Sequence, residues 1–233
     1  MRIRSLSIDG AWEVTPRQHG DPRGVFLEWY RFDLLAHGVG HPLRFGQANL
    51  SVSARGVIRG IHFTDVPPGQ AKYVTCVRGA VLDVVVDVRV GSPTFGRWEA
   101  VRLDDTERRA VYLAEGLGHG FCALTDDATV TYLCSTTHDP QAERQLHPLD
   151  PMLGIEWPDG PRLLSARDEN APDLGQLRNE GVLPTYQACV EYVESLRSVH
   201  PERPGETGRQ GSVPVAGPPA RTSASWLTPD RRA

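Results

Sequence analysis

The feature that most limits what this chain can fold into is a succession of short, β-branched runs, each closed by a turn signal. Val81–Arg89 reads VLDVVVDVR, with Asp83 and Asp87 spaced among valines, and Tyr73–Val77, Trp98–Leu103, Ala110–Leu113, Phe121–Leu124 and Thr129–Cys134 are further runs of strand length. Between them lie Pro67-Pro68-Gly69, Arg78-Gly79, Gly91-Ser92-Pro93 and Thr125-Asp126-Asp127, clusters that punctuate regular structure. Strands recurring roughly every 8–12 residues predict a sandwich or jelly-roll barrel and not a βαβ fold. The alternation in Val81–Arg89 predicts a half-buried strand with Asp83 and Asp87 on its solvent face. The chain has neither a GxGxxG nor a GxxxxGK[ST] motif, so dinucleotide-fold and P-loop readings fail.

At 233 residues the chain has room for one full domain with an appendage, or for two small ones. The β body occupies residues 1–175. In the segment 176–200, Cys189, Val190, Val193, Leu196 and Val199 recur at helical spacing, which predicts one amphipathic helix over Tyr186–Val199. From Pro201 to Ala233, ten of 33 residues are Pro or Gly. Such a composition buries too little apolar surface to offset ordering entropy, so 201–233 is expected to be a disordered tail. The formal charge of −4 lacks the basic excess of nucleic-acid binders. No apolar run approaches the roughly 20 residues of a membrane span, and no basic-then-apolar leader opens the sequence. Cys76, Cys122, Cys134 and Cys189 form no CxxC pair, an arrangement expected of a protein in a reducing cytoplasm without structural zinc or disulfides.

The basic residues carry a sharper signal. Of the 25 Lys plus Arg, Lys72 is the one lysine, and the other 24 are arginine. It follows a Pro-Pro-Gly turn and enters a strand. Arg59-Gly60-Ile61-His62-Phe63 is also strand-like, His119 sits in Gly116-Leu117-Gly118-His119-Gly120, and Tyr132 lies inside an aliphatic run. Each alone is compatible with packing or with an edge-strand guard. Arg, His, Lys, His and Tyr on neighbouring strands of one small barrel are harder to read that way, because barrel mouths are favoured ligand sites. Metal-holding barrels of this shape carry His-x-His followed by Glu. Here Phe63 and Thr64 follow His62, and no metal is expected.

Seven ordered landmarks then complete the pattern: Asp21-Pro22-Arg23-Gly24-Val25-Phe26-Leu27-Glu28, Gln47-Ala48-Asn49, Arg59-Gly60-Ile61-His62-Phe63, Gln70-Ala71-Lys72, Ser92-Pro93-Thr94-Phe95-Gly96, Glu115-Gly116-Leu117-Gly118-His119-Gly120-Phe121 and Ser165-Ala166-Arg167-Asp168. From about residue 3 to residue 175 the chain resembles the dTDP-4-dehydrorhamnose 3,5-epimerase family of cupin jelly-roll enzymes. The resemblance implies an all-β, cupin-type jelly roll, acting as a homodimer on a dTDP-4-keto-6-deoxyhexose without metal or other cofactor. It implies His62 as general base paired with Asp168, Tyr132 as opposing proton donor, and Lys72 near the 4-keto oxygen, with Arg59 and His119 lining the pocket. Arg23, Phe26, Glu28, Gln47, Asn49, Glu143 and Arg167 match positions that hold the nucleotide and diphosphate, partly across the dimer.

The chemistry of these residue types fits that assignment. A ketone acidifies its flanking C–H bonds, and abstraction leaves an enolate that a positioned ammonium stabilises. Histidine suits the base because its ordinary pKa lies near working pH, and the arginine fork suits a diphosphate.

The chain departs from the family at Ala114 for proline, Gly118 for alanine and Arg167 for lysine. Thr137 and His138 stand where a pair of tyrosines positions the sugar. That last change inclines the expectation towards inversion at one centre, C3′, over inversion at both C3′ and C5′. A sugar 3,4-ketoisomerase and a non-catalytic nucleotide-sugar binding cupin are the alternatives.

Overall fold

A computed structural model of the chain describes residues 1–41 and 43–199. Its strands are β1 (Arg2–Ser5), β2 (Ala11–Thr15), β3 (Gln18–Asp21), β4 (Gly24–Leu27), β5 (Gln47–Ser53), β6 (Ile58–Thr64), β7 (Lys72–Arg78), β8 (Ala80–Val86), β9 (Trp98–Asp104), β10 (Ala110–Leu113), β11 (Gly118–Ala123), β12 (Ala128–Cys134) and β13 (Glu143–Gln145). The helices are α1 (Phe32–Val39), α2 (Ala166–Glu169), α3 (Leu174–Asn179) and α4 (Tyr186–Val199). One sheet has the order β1-β2-β10-β7-β12-β5, a second β13-β6-β11-β8-β9, and β3-β4 is a separate hairpin. Neighbours within the sheets are antiparallel and, apart from β1-β2 and β8-β9, non-consecutive, the topology of an all-β cupin-type jelly roll. The described residues, α4 included, belong to one compact unit, and α3 runs across residue 175. The expectation for 201–233 falls outside the described residues.

The core explains which residues the sheets can present to a ligand. Val74, Cys76 and Val130 from the six-stranded sheet meet Val81, Val85, Leu103 and Phe121 from the five-stranded sheet. The outer face of the five-stranded sheet is buried as well. Ile58, Ile61, Phe63, Val84 and Val86 pack there against Leu146, Trp157, Leu174 and Leu177 of the following chain. The six-stranded sheet is covered only in part, by Leu35, Val39 and Leu43 over Val14, Tyr73 and Tyr112. On the same sheet Leu50, Val52 and Val77 remain exposed.

Burial on both faces of β8 overturns one expectation. Asp83 and Asp87 are not on a solvent face: both are 0% exposed. Alternation marks a wet face only when one side of a sheet is bare, and here neither side is. Asp87 forms a buried ion pair with Arg89 and also accepts bonds from Ser92 and Thr94. Burial works to raise the Asp87 pKa, but Arg89, Ser92 and Thr94 outweigh it and hold the carboxyl below its ordinary range. The Ser-Pro-Thr-Phe-Gly landmark is therefore the cradle of a buried carboxylate.

Candidate active site

Between the sheets lies a cavity of about 510 Å³. The six-stranded sheet lines it with Gln47 and Asn49 of β5, Lys72 of β7 and Tyr132 of β12. The facing sheet contributes Arg59 and His62 of β6, His119 of β11 and Glu143 of β13, and α2 adds Arg167 and Asp168. Ten of the residues expected at the site thus converge. Arg23, Phe26 and Glu28 do not. Arg23 pairs with Asp21 on the β3–β4 hairpin, Glu28 pairs with Arg31, and Phe26 is 69% exposed.

Local backbone geometry aims the two histidines. His119 lies opposite His62 in the β6–β11 ladder, whose register shifts between His119 and Phe121. At that shift Gly60 has φ +113, and a Cβ on it would meet the His119 carbonyl at 2.5 Å and Gly120 Cα at 2.6 Å. Only glycine combines this dihedral with so close a strand approach. The Arg-Gly-Ile-His landmark therefore encodes a bulge that brings both rings to the cavity.

Each ring has a carboxylate partner. His62 Nε2 lies 2.7 Å from Asp168 Oδ1, and Ser165 Oγ donates to Asp168 Oδ2 at 2.9 Å. The same Ser165 oxygen accepts from the Asp168 N–H, capping α2. Burial tends to raise the Asp168 pKa, but the bond and charge of His62, together with Ser165, bring it below the ordinary range. An ionised carboxylate can only accept, so Nε2 carries a proton, and in the neutral ring the lone pair sits on Nδ1. His119 Nε2 lies 2.8 Å from Asp83 Oδ2, within the sheet. Asp83 was missing from the expected site because its strand pattern pointed it to water, and Ser165 because a helix cap looks structural in sequence.

Lys72 is 8% exposed, and among the described residues no carboxylate lies within ion-pair distance of its ammonium. Burial pushes its pKa down, opposed by the charges of Cys134, Glu143 and Asp83. Burial also raises the Tyr132 pKa, with Cys134 and Glu143 adding to the shift and Arg59 opposing it, so the phenol keeps its proton at neutral pH. Arg59 reaches across the open end of the sandwich to Ser53 Oγ at 3.1 Å. Arg167 donates to Glu143 at 3.1 Å. Lining residues that the sequence reading left without a role include Ser51, Gln70, Leu163 and Leu164. Among the described residues no group of His, Cys, Asp and Glu is arranged to hold a metal ion.

A cupin-type jelly roll whose interior brings together a carboxylate-bound histidine, a buried ammonium and a protonated phenol has the groups of an acid–base enzyme class. The model of the family described as dTDP-4-dehydrorhamnose 3,5-epimerase matches residues 5–176. A dTDP-4-dehydrorhamnose 3-epimerase of Streptomyces niveus is 61% identical over 211 residues, covering 91% of this chain and 100% of the relative. A dTDP-4-dehydrorhamnose 3,5-epimerase of Mycolicibacterium smegmatis is 58% identical over 198 residues, 84% of this chain and 98% of the relative. The crystal structure of a 3′-monoepimerase from Streptomyces bikiniensis, in complex with dTDP-quinovose, superposes with a TM-score of 0.82 at 55% identity, covering 84% of this chain and 99% of that one. The chain belongs to the dTDP-4-dehydrorhamnose 3,5-epimerase family, and it is an isomerase of the epimerase type.

Proposed function

We propose that this protein inverts C3′ of a dTDP-4-keto-6-deoxy-D-glucose in deoxysugar biosynthesis. His62 Nδ1 removes the proton from the carbon beside the ketone, and the electron pair moves into an enolate whose oxygen faces the Lys72 ammonium. Asp168 stabilises the imidazolium formed. Tyr132, carried by the opposite sheet, returns a proton to the other face and inverts the centre. The bonds broken and formed are one C–H each, so the step balances without an oxidant, metal or nucleotide cofactor. The observation that supports this most is Lys72: a buried ammonium with no carboxylate partner among the described residues, in a cavity with His62 on one sheet and Tyr132 on the other. Such preorganised charge is often the largest single catalytic contribution.

Two substrate-binding regions follow from the same reading. Arg59, Arg167, Gln47, Asn49, Glu143 and His119 hold the sugar nucleotide within the cavity. Arg23, Phe26 and Glu28 act from a second copy of the chain, placed by a homodimer that covers the bare face at Leu50, Val52 and Val77. The hairpin's exposed Val25 and Phe26 are suited to such a contact. Restriction to C3′ is supported by Thr137 and His138, of which His138 lines the cavity, and by the 3-epimerase and 3′-monoepimerase among the relatives.

Incubation with dTDP-4-keto-6-deoxy-D-glucose in deuterated water, followed by NMR of the sugar, tests the assignment. Deuterium and inversion at C3′ alone are expected. Label at both C3′ and C5′ with an L-sugar product contradicts the single-centre assignment, and absence of any exchange contradicts epimerisation.

A further inference from the structure

His138 lines the cavity but has no part in the proton transfers above. Its backbone N–H donates to Gln47 Oε1 at 2.8 Å, which fixes the residue at the end of β5. Its ring is half-exposed, with Nδ1 4.0 Å from Glu143 Oε2. That same oxygen accepts from Arg167 at 3.1 Å. The carboxylate is thus already engaged, and its distance to the imidazole exceeds a hydrogen bond.

The other cations of the cavity are committed elsewhere. Arg59 is held by Ser53 and by the Val52 carbonyl, and Arg167 by Glu143. His62 and His119 are each bound to an aspartate. Lys72 is buried on β7. Among the described residues, His138 alone of these groups is both half-exposed and without a bonded acceptor on its ring, and histidine is the side chain whose ordinary titration falls between about pH 5 and 8. The charged side chains that share the cavity with it are Glu143, Asp168, Arg167, Arg59 and Lys72, and a bound dianion would favour a cation at this position.

We propose that His138 is a substrate-recognition residue: its imidazolium adds a cation to the pocket mouth that receives the diphosphate of a sugar nucleotide, so binding tightens as the solution becomes more acidic. This rests on the substrate class assigned above. The sign follows from linkage, because an anionic ligand that binds the protonated form better must take up protons when it binds. A partly exposed charge of this kind is worth about two- to fivefold in affinity.

The test uses the full chain and dTDP-glucose, which has no keto group to react and whose diphosphate diester keeps its charge between pH 6 and 8. Calorimetric Kd values are compared at pH 6.0 and 8.0 for the native protein, His138→Gln and His138→Lys. Contributions from the rest of the protein are common to all three, so the difference among them isolates position 138. The native protein is expected to bind about two- to fivefold more tightly at pH 6.0 relative to His138→Gln than it does at pH 8.0. His138→Lys is expected to bind more tightly than His138→Gln by a similar factor at both pH values. An equal pH ratio in the native protein and His138→Gln would overturn the proposal while leaving the substrate assignment intact. Failure of the native protein to bind dTDP-glucose at either pH would overturn that assignment, and the proposal with it.

Discussion

Two histidine–aspartate pairs share one cavity, and they are built differently. His119 and Asp83 stand on adjacent strands of the same sheet, both buried, and Asp83 Oδ1 has no hydrogen-bond partner among the described residues. His62 and Asp168 come from a strand and a short helix 106 residues apart, and Ser165 occupies the second carboxylate oxygen. The His62 ring retains 29% of its side-chain exposure against 10% for His119. A sealed pair inside one sheet cannot easily exchange protons with a ligand, so its effect is to fix the pocket wall. A pair made between elements, in a ring that lines the cavity and with every carboxylate oxygen satisfied, suits the proton transfer proposed for His62.

Substitutions that are nearly isosteric separate these roles. Asp168→Asn is expected to have the largest effect, a loss of about 10³-fold in kcat, because the amide can donate to Nε2 and so shifts the ring proton onto the nitrogen needed as base. The same variant should lose part of the acid sensitivity of the fold. A carboxyl held below its ordinary pKa adds stability above its unfolded pKa and loses it as pH falls through the folded value; urea melts at pH 7 and pH 3.5 read this directly. Lys72→Met is expected to cost about 10²-fold in kcat with little change in KM, the pattern of a contact made in the transition state. Removing a buried, unpaired ammonium should at the same time raise Tm. Asp83→Asn is expected to cost only about tenfold, because it alters the wall and leaves the transferring nitrogen unchanged. A larger loss in Asp83→Asn than in Asp168→Asn would reverse the assignment of the two pairs.

The single lysine shows how far sequence could lead. That Lys72 differs from 24 arginines was legible in composition, and a compact ammonium suits a developing oxyanion where a guanidinium fork does not. Only the fold shows that it is buried with no carboxylate partner among the described residues. The strand series, α4 and the landmarks Arg59–Phe63 and Gln70–Lys72 were readable because period and turn chemistry are local. Asp83 was not, since its burial depends on the segment from Leu146 to Leu177 covering the far side of its sheet. Short elements such as β1, β13 and α2 also escaped, because few residues carry too little periodicity. Arg23, Phe26 and Glu28 were legible as a motif, yet one copy of the chain leaves them away from the cavity.

The central claim is that base and acid stand on opposite sheets, and Tyr132→Phe tests it most directly. In deuterated water with the 4-keto substrate, this variant should still exchange the C3′ proton through His62 while its rate of inversion falls by about 10²-fold or more. Inversion at the native rate would contradict the account.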